Sequence, residues 1–129
     1  MPFENNSFDG VSSGLVSYVF KNPTKYFSEV YRVLRPGGVF VLYTTTPKFD
    51  YPGIVLKLTR TEFERKGILP RYQKEFDECV MTSLTNSKTV KRNSLSGNAL
   101  TSLLKKIGFK IKSVKYAYFG GVVLVFATK

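Results

Sequence analysis

The spacing of apolar residues predicts a helix over residues 23–34 that leads into a buried strand. Five apolar side chains recur at helical spacing, with polar residues opposite them: Tyr26, Phe27, Val30, Tyr31 and Leu34. Asn22 suits the N-cap of this helix, and Pro23 suits its first position. The strand from Val39 to Thr45 begins as an apolar run without alternation, which is typical of a strand covered on both faces in a parallel sheet.

The segment before this helix predicts the first strand, from Phe8 to Leu15. Near its end, Ser12-Ser13-Gly14 is small enough to let a ligand approach the backbone. Between the helix and the next strand, Pro36 and Gly37-Gly38 end the helix. The resulting β-α-β order predicts two parallel strands joined by a right-handed crossover.

The C-terminal part of the chain predicts a helix followed by an antiparallel hairpin. Asn98 to Ile107 carries one apolar face, and Gly108 stands at the expected helix stop. Phe109 to Tyr118 begins with alternating apolar and lysine residues, and Val122 to Phe126 is fully apolar. Because Gly120-Gly121 lies between these two runs, we expect a tight reversal there.

The middle of the chain gives weaker patterns. Apolar and charged residues from Tyr51 to Arg65 predict one or two short helices. The stretch from Gly67 to Asn93 is interrupted by Pro70, and within it Glu75 to Leu84 fits either a helix or an extended excursion.

Length and composition restrict the class of protein. The 129 residues suffice for one small domain, residues 1–129, and 43% hydrophobic content suffices for a core. No run of about 18 apolar residues is present, so no transmembrane segment is expected. The single cysteine, Cys79, excludes an internal disulfide framework and fits a reducing compartment, so we expect a cytoplasmic location and a buried, inert thiol. The absence of histidine excludes imidazole metal sites, and we expect no metal.

The charge of the chain leaves two interpretations open. The formal net charge is +11, from 20 Lys and Arg against 9 Asp and Glu. Such a balance fits a solvated basic surface, or a surface that binds an acidic protein, nucleic acid or an anionic membrane. The basic residues are scattered and contain no nucleic-acid-binding motif, which argues against nucleic acid as a partner.

Two segments resemble one protein family in both order and separation. Pro2 to Val11 is similar to the segment that leads into the fourth strand of class I S-adenosylmethionine-dependent methyltransferases. The helix end Tyr31-Arg32-Val33-Leu34-Arg35-Pro36-Gly37-Gly38 and the strand after it are similar to the part that follows. The resemblance implies an α/β class and a partial Rossmann-like methyltransferase fold, the C-terminal portion of the domain. Its mixed sheet would have the strand order 4-5-7-6 in the family's numbering, with the C-terminal hairpin supplying the last two strands.

Within this family the chain resembles one branch, the type 11 methyltransferases of ubiquinone and menaquinone biosynthesis. The closing sequence Phe119-Gly120-Gly121-Val122-Val123 and the helix end at Gly37-Gly38 carry this resemblance. It implies S-adenosylmethionine as cofactor and a small, quinone-type aromatic methyl acceptor. The chain departs from the branch at Ser13-Gly14-Leu15, where Ser-Phe-Gly is usual, and at Thr44, where an acid is usual.

The resemblance also implies which parts of the site to expect. The family holds its cofactor mainly through a glycine-rich loop and an acidic residue in the first half of the fold, and no G-x-G spacing follows a predicted strand here. We therefore expect that the cofactor-binding N-terminal half is absent and that the chain is inactive alone. Ser13, Gly14 and Leu15 are expected to contact the cofactor, and no catalytic residue is assigned. The strand from Phe8 to Leu15 would keep an open edge, available to the missing half or to a second copy, and one face of the sheet would lack a helix.

Two functional hypotheses follow. In the first, the chain is the C-terminal part of a methyltransferase, where a general base would be an acid or a tyrosine, since histidine is absent. The tyrosine candidates are Tyr18, Tyr43, Tyr116 and Tyr118, most of which are expected to serve in packing. In the second, the chain is a non-catalytic basic module that binds a partner protein, nucleic acid or an anionic membrane surface.

Overall fold

The computed structural model describes residues 2–50 and 52–129, which form a mixed four-stranded sheet with helices. The strands and α-helices are β1 (Phe8–Gly14), α1 (Pro23–Val33), β2 (Leu34–Thr45), α2 (Lys57–Arg65), α3 (Gln73–Asn93), α4 (Gly97–Ile107), β3 (Lys110–Ala117) and β4 (Val122–Thr128). Shorter helical turns occupy Ser17–Val19, Pro52–Leu56, Leu69–Tyr72 and Tyr118–Gly120. The sheet order is β1-β2-β4-β3; β1 pairs with β2 in parallel, and the other pairs are antiparallel. This order and the α/β class confirm the predicted fold.

Helix α1 forms for the reasons that its sequence indicates. The Asn22 carboxamide oxygen accepts a hydrogen bond from the backbone N–H of Lys25 at 2.9 Å, which caps the first turn. Phe27, Val30 and Val33 are buried along one face. The predicted helix is therefore confirmed to within one residue at its C-terminal end.

Strand β2 begins at Leu34, five residues before the predicted start at Val39, and this prediction was wrong. Leu34 already has extended geometry, with φ −72° and ψ 139°, and it is paired with Phe8. The register then shifts, so that the next pair along the ladder is Gly10 with Val39. The residues between Leu34 and Val39 form a bulge that the helix-stop signal concealed, and Gly37 fits this bulge with a φ of +79°.

The middle of the chain is helical. Glu75 to Leu84, which fitted two alternatives, belongs to the 21-residue helix α3. The Phe63 and Phe76 rings, 6.2 Å apart, join α2 to α3. The helical segment predicted from Tyr51 to Arg65 is confirmed as the turn Pro52–Leu56 and α2, while Tyr51 itself lies outside the described residues. Cys79 is exposed, so the expectation of a buried thiol was wrong. Only Phe76, Ser87 and Val90 are buried along α3, so most of this helix, including Cys79, is not covered by other elements.

The C-terminal elements follow the predicted order. The Ser96 hydroxyl accepts a hydrogen bond from the backbone N–H of Ala99 at 3.2 Å and caps α4. Gly108 ends this helix with a φ of +123°. Strands β3 and β4 form the predicted antiparallel hairpin, and its reversal is a helical turn at Tyr118–Gly120.

The core lies between one face of the sheet and the helices α1 and α4. Its fully buried members include Phe27, Val30, Phe40, Leu42, Leu100, Leu104, Val123 and Val125. On the opposite face, Val39, Tyr43 and Phe126 are exposed. Burial alternates along β2 between a covered and an open face, so the prediction of a strand covered on both faces was wrong. The open face agrees with the separate expectation that one face of the sheet would lack a helix. Among the described residues, no helix combines the length and the hydropathy needed to cross a membrane.

Candidate functional site

An apolar pocket of about 380 Å³ lies at the carboxyl ends of β1 and β2. Its walls are Leu15, Phe49, Asp50, Ile54, Val55, Tyr118, Phe119 and Val122. Ligands of open α/β sheets bind at this edge, just beyond the ends of the parallel strands. The pocket therefore lies where the fold is expected to bind a small molecule, and its lining favours an apolar one.

The ends of the strands position the pocket walls. Leu15 follows β1 directly, and its backbone N–H donates to the Tyr43 carbonyl at 2.8 Å, which prolongs the parallel ladder by one residue. After β2, the backbone N–H of Thr46 donates to the Gly121 carbonyl at 2.9 Å, and that of Phe49 donates to the Thr46 carbonyl at 3.0 Å. This turn brings Phe49 beside Gly121, just before β4, and Phe49 lines the same pocket as Leu15.

The outer wall comes from the hairpin reversal. Tyr118 and Phe119 have positive φ angles of 50° and 56°, and their side chains are 73% and 88% exposed. The Tyr118 carbonyl accepts a hydrogen bond from the Gly121 N–H at 2.9 Å, which closes the turn. Two large aromatic side chains in an exposed turn, beside an apolar pocket, form a wall that a flat apolar ligand can contact.

The Ser13 side chain contacts α1 and does not line the pocket. This side chain is 5% exposed, and its hydroxyl oxygen accepts a 2.8 Å hydrogen bond from the hydroxyl of Tyr26. The Ser13 side chain therefore faces the covered side of the sheet, and Tyr26 fixes it there.

Gly14 lies beneath the ring of Tyr43. A Cβ atom added at Gly14 would stand 2.4 Å from the Tyr43 ring, so the glycine is required for this close approach. Tyr43 is 45% exposed on the open face of the sheet. The lack of a side chain at Gly14 therefore leaves room for the Tyr43 ring in this structure.

Thr44 and Thr45 end β2, Thr46 follows directly, and all three are buried. The Thr44 hydroxyl is hydrogen-bonded to that of Ser17, and the Thr45 hydroxyl lies 2.7 Å from that of Ser94. The Thr46 hydroxyl donates to the Gly120 carbonyl at 2.6 Å. These bonds tie the end of β2 to the turn at Ser17, to Ser94 and to the hairpin reversal.

Ionisable groups are few at this site. Of the pocket walls, only Asp50 and Tyr118 carry titratable side chains, and an Asp50 oxygen accepts a hydrogen bond from the Gly53 N–H at 3.1 Å. Of the other tyrosine candidates, Tyr18, Tyr43 and Tyr116 do not line the pocket. Within the described part of the chain, no three His, Cys, Asp or Glu residues cluster as metal ligands.

Leu15, which the resemblance predicts as a cofactor contact, is one wall of this pocket, and the sequence analysis missed most of the other walls. Phe49, Ile54 and Val55 lie in the segment after β2, and Phe119 lies in the hairpin reversal. A signal was present, since apolar residues that directly follow strand ends at the carboxyl edge of a sheet need a partner. The pattern could not show that two such segments, far apart in the chain, close over one pocket.

Comparisons with known proteins agree with the fold. Residues 1–42 match the family described as "Methyltransferase domain". The chain is 30% identical over 134 residues to the demethylmenaquinone methyltransferase of Lactococcus lactis, covering 100% of this chain and 49% of that protein. It is also 30% identical over 129 residues to the protein of that name from Chlorobaculum parvum, covering 100% of this chain and 52% of the relative. The chain thus spans about half the length of these relatives.

Solved structures extend the likeness to the fold. A methyltransferase from Aquifex aeolicus, described as dependent on S-adenosylmethionine, superposes with a TM-score of 0.61 at 13% identity, over 99% of this chain and 49% of that one. A structure from Bacillus halodurans described as a putative methyltransferase gives a TM-score of 0.60 at 16% identity, over 100% of this chain and 73% of that one.

The family implies S-adenosylmethionine as cofactor, and the residues present can be tested against it. Its carboxylate, ammonium and ribose hydroxyls each need hydrogen-bond partners. At the predicted contacts, the Ser13 hydroxyl is bonded to Tyr26, Gly14 lies under Tyr43, and the Leu15 N–H is bonded to the Tyr43 carbonyl. These three residues do not by themselves fit the cofactor, and their contact with it stays a prediction.

The likeness therefore rests on the matched N-terminal segment, on relatives aligned along the whole chain, and on solved structures that superpose over nearly all of it. Together these findings show that the chain has a partial fold of the class I S-adenosylmethionine-dependent methyltransferases and that its sequence is similar to members of that family.

Proposed function

We propose that this chain takes part in methyl transfer from S-adenosylmethionine to a small, quinone-type aromatic acceptor, and that the apolar pocket holds the acceptor. The observation that carries this proposal is the pocket itself, because its walls are apolar and aromatic and its position is the carboxyl edge of the sheet. A volume of about 380 Å³ lies within the range of small-molecule sites. The name of the relatives from Lactococcus lactis and Chlorobaculum parvum supports a quinone-type acceptor.

We assign to the pocket a positioning role. Methyl transfer depends mainly on holding the acceptor in line with a methyl group that the cofactor already activates. Phe49, Ile54 and Val55 on one side and Phe119 on the other would fix the plane of an aromatic ring. Asp50 and Tyr118 are the groups of the pocket that can exchange a proton with an acceptor hydroxyl.

The proposal includes that the chain is inactive alone. Ser13, Gly14 and Leu15 would form one edge of the cofactor site, and the remaining polar contacts would come from residues outside this chain. Each hydrogen bond contributes roughly 0.5–1.5 kcal/mol, whereas micromolar affinity requires about 8 kcal/mol. One edge of a site therefore cannot bind the cofactor after the cost of immobilising it.

The two edges of the sheet support a partner at β1. The β3 edge carries three exposed lysines, Lys110, Lys112 and Lys115, and lysines on an edge strand oppose pairing with another chain. The β1 edge carries no lysine and exposes Gly10 and Ser12. We propose that β1 pairs with the complementary half of the fold or with a second copy. The cytoplasmic location stays a prediction.

Calorimetry with S-adenosylmethionine tests the proposal. S-adenosylmethionine is titrated into the chain alone, and then into a mixture of the chain with the complementary half of the Lactococcus lactis relative. Methyl transfer to a reduced naphthoquinone is measured in the mixture. We expect no saturable heat from the chain alone, and both binding and transfer in the mixture. Saturable binding by the monomeric chain with a dissociation constant of about 10 μM, or about 7 kcal/mol, would contradict the proposal.

A variant of the pocket separates the acceptor role from the cofactor role. Val55→Asp introduces a charge into the apolar wall, so transfer should be lost while cofactor binding by the mixture is retained. Val114→Asp, at a partly exposed position on β3 away from the pocket, is the matched control and should retain both. Equal loss of transfer in the two variants would show that the pocket does not hold the acceptor.

A further inference from the structure

A second concave site lies between the turn Pro52–Leu56, α2 and α3. This groove has a volume of about 560 Å³, and its floor is apolar, formed by Leu56, Phe76, Val80 and Leu84. Four basic side chains surround the floor: Lys57, Arg60, Lys88 and Lys91. The groove therefore combines an apolar floor with a basic rim, unlike the acceptor pocket, with which it shares Asp50.

The rim has more cations than carboxylates. Lys91 lies 3.9 Å from Asp50, and Arg60 forms a 2.9 Å ion pair with Glu64. Among the residues that the structure describes, no carboxylate lies within 4 Å of Lys57 or Lys88. Four cations thus face two carboxylates, and the excess positive charge favours an anionic ligand.

The order of residues along α3 gives the shape of that ligand. Phe76, Val80 and Leu84 follow one another at intervals of four, so they form one stripe on the helix surface. At 1.5 Å per residue this stripe is about 12 Å long. Lys88 continues the same spacing by one further turn, and Lys91 lies beside it. An apolar chain that lies along the stripe therefore ends at two ammonium groups.

We propose that this groove binds one molecule of a water-soluble anionic amphiphile, a carboxylate or phosphate ester that carries one unbranched apolar chain. The chain lies over Phe76, Val80 and Leu84, and the anion lies between Lys88 and the Lys57 side of the rim. The length of the stripe and the cations at one end of it favour a single-chain molecule over a flat membrane surface, which would need cations spread over an exposed plane. This assignment is independent of methyl transfer.

The probe is decyl phosphate, used with the full isotope-labelled chain below the concentration at which it forms micelles. We expect saturable chemical-shift changes confined to α2, α3 and the turn between residues 52 and 56, with one molecule bound per chain. Decyl glucoside, which has the same chain and no charge, should bind at least tenfold more weakly. Equal binding of the two probes would overturn the assignment of the anion.

Charge reversal locates the site. Lys57→Glu with Lys88→Glu should weaken binding of decyl phosphate about tenfold, which corresponds to about 1.4 kcal/mol. The matched control, Lys25→Glu with Lys112→Glu, changes the net charge equally at exposed positions of α1 and β3, and it should bind as the wild type does. If the first variant does not fold, Lys57→Gln with Lys88→Gln replaces it and should weaken binding in the same direction.

A separate variant tests whether the apolar floor of the groove contacts the ligand chain. Leu84 is 44% exposed, so Leu84→Asp should leave the helix intact by circular dichroism while weakening decyl phosphate binding about tenfold or more. Equal weakening in the control charge variant would show general electrostatic attraction and overturn the proposal. Adsorption to vesicles of anionic phospholipid without saturable binding of decyl phosphate would overturn it as well, because the ligand would then be a membrane surface.

Discussion

The hydroxyl of Tyr26 donates a 2.8 Å hydrogen bond to the hydroxyl of Ser13, and this bond fastens the end of β1 to α1. The Tyr26 ring stacks on Phe20 with centroids 4.1 Å apart, so Phe20 holds the ring while Ser13 binds its hydroxyl. Ser13 immediately precedes Gly14 and Leu15, which begin the carboxyl edge where the acceptor pocket opens. The position of this edge thus depends on a contact with a helix that does not line the pocket.

Replacing Tyr26 by Phe should destabilise the protein by about 1 kcal/mol, because it leaves the buried Ser13 hydroxyl without its partner. Urea unfolding of Tyr26→Phe, Ser13→Ala and the double variant measures this contribution. The two single changes should be less than additive, with a coupling of about 0.5 kcal/mol or more. Strict additivity would show that the bond does not contribute to stability.

The close approach of Gly14 to Tyr43 gives a second prediction. Gly14→Ala places a methyl group where the Tyr43 ring lies, so the half-exposed ring must swing away, at a cost of about 1 kcal/mol. Gly10→Ala is the matched control, since the nearest atom to its new Cβ would be the Val39 carbonyl oxygen at 3.8 Å. Unfolding of both variants, with the Tyr43 ring followed by NMR, checks this. Equal stability and an unmoved ring in Gly14→Ala would contradict the structure.

The sequence predicted the elements whose signals are local. Helix α1 was predictable because Asn22, Pro23 and a regular apolar face act within a few residues of each other. Strand β2 was predicted five residues too short, since Pro36 and the glycines after it give the same signal for a loop and for a bulge. Helix α3 stayed ambiguous because only Phe76, Ser87 and Val90 are buried along its 21 residues.

The site was predictable only where a strand ends. Leu15 was predicted as a cofactor contact from the family resemblance, and the structure places it in the wall of the apolar pocket, while its contact with the cofactor stays a prediction. Phe49 and Phe119 belong to turns that meet only in the folded protein. Likewise, no periodicity in the sequence shows that Ser13 bonds to Tyr26 or that the Tyr43 ring lies over Gly14. These are contacts between elements, and they depend on the register of β1 against β2.

The ion pair between Glu29 and Arg32 in the C-terminal half of α1 predicts that the folded protein loses stability in acid. Hydrogen bonds from the Arg32 guanidinium to the Glu29 carboxylate, at 2.9 and 3.0 Å, lower the pKa of Glu29 to about 2. A lowered pKa stabilises the folded state at neutral pH. This contribution is lost as the pH falls from the ordinary value of 4.5 towards about 2.

Unfolding midpoints in urea across this pH interval measure the effect. Glu29→Gln should be less stable than the wild type at neutral pH, and the difference should shrink to nothing as the pH approaches about 2. Glu78→Gln, at an exposed position on α3, is the control and should keep the wild-type slope. The Arg32 side chain also donates to the Asn5 carboxamide oxygen at 2.7 Å, so backbone signals near Asn5 should change in the same pH interval. Identical slopes in the two variants would assign the acid sensitivity to other carboxylates.

The two faces of β4 give the last prediction, which concerns the partner surface. Val125 is fully buried against α1 and α4, whereas the adjacent Phe126 is 36% exposed on the open face of the sheet, beside the exposed Val39 and Tyr43. Val125→Lys buries an unpaired charge and should cost about 4 kcal/mol or more, a large part of the stability of a small domain. Phe126→Lys should cost only about 1 kcal/mol, because the ammonium group reaches water.

If the open face and the β1 edge beside it form the surface that binds a partner, Phe126→Lys should also weaken association, both of the chain with itself and of the chain with the complementary half of the Lactococcus lactis relative. Sedimentation velocity over a range of concentrations measures this on protein that circular dichroism shows to be folded. If Phe126→Lys associates as the wild type does, only the backbone edge of β1 remains as the partner surface. If Val125→Lys is folded and stable, the covered and open faces of the sheet have been assigned the wrong way round.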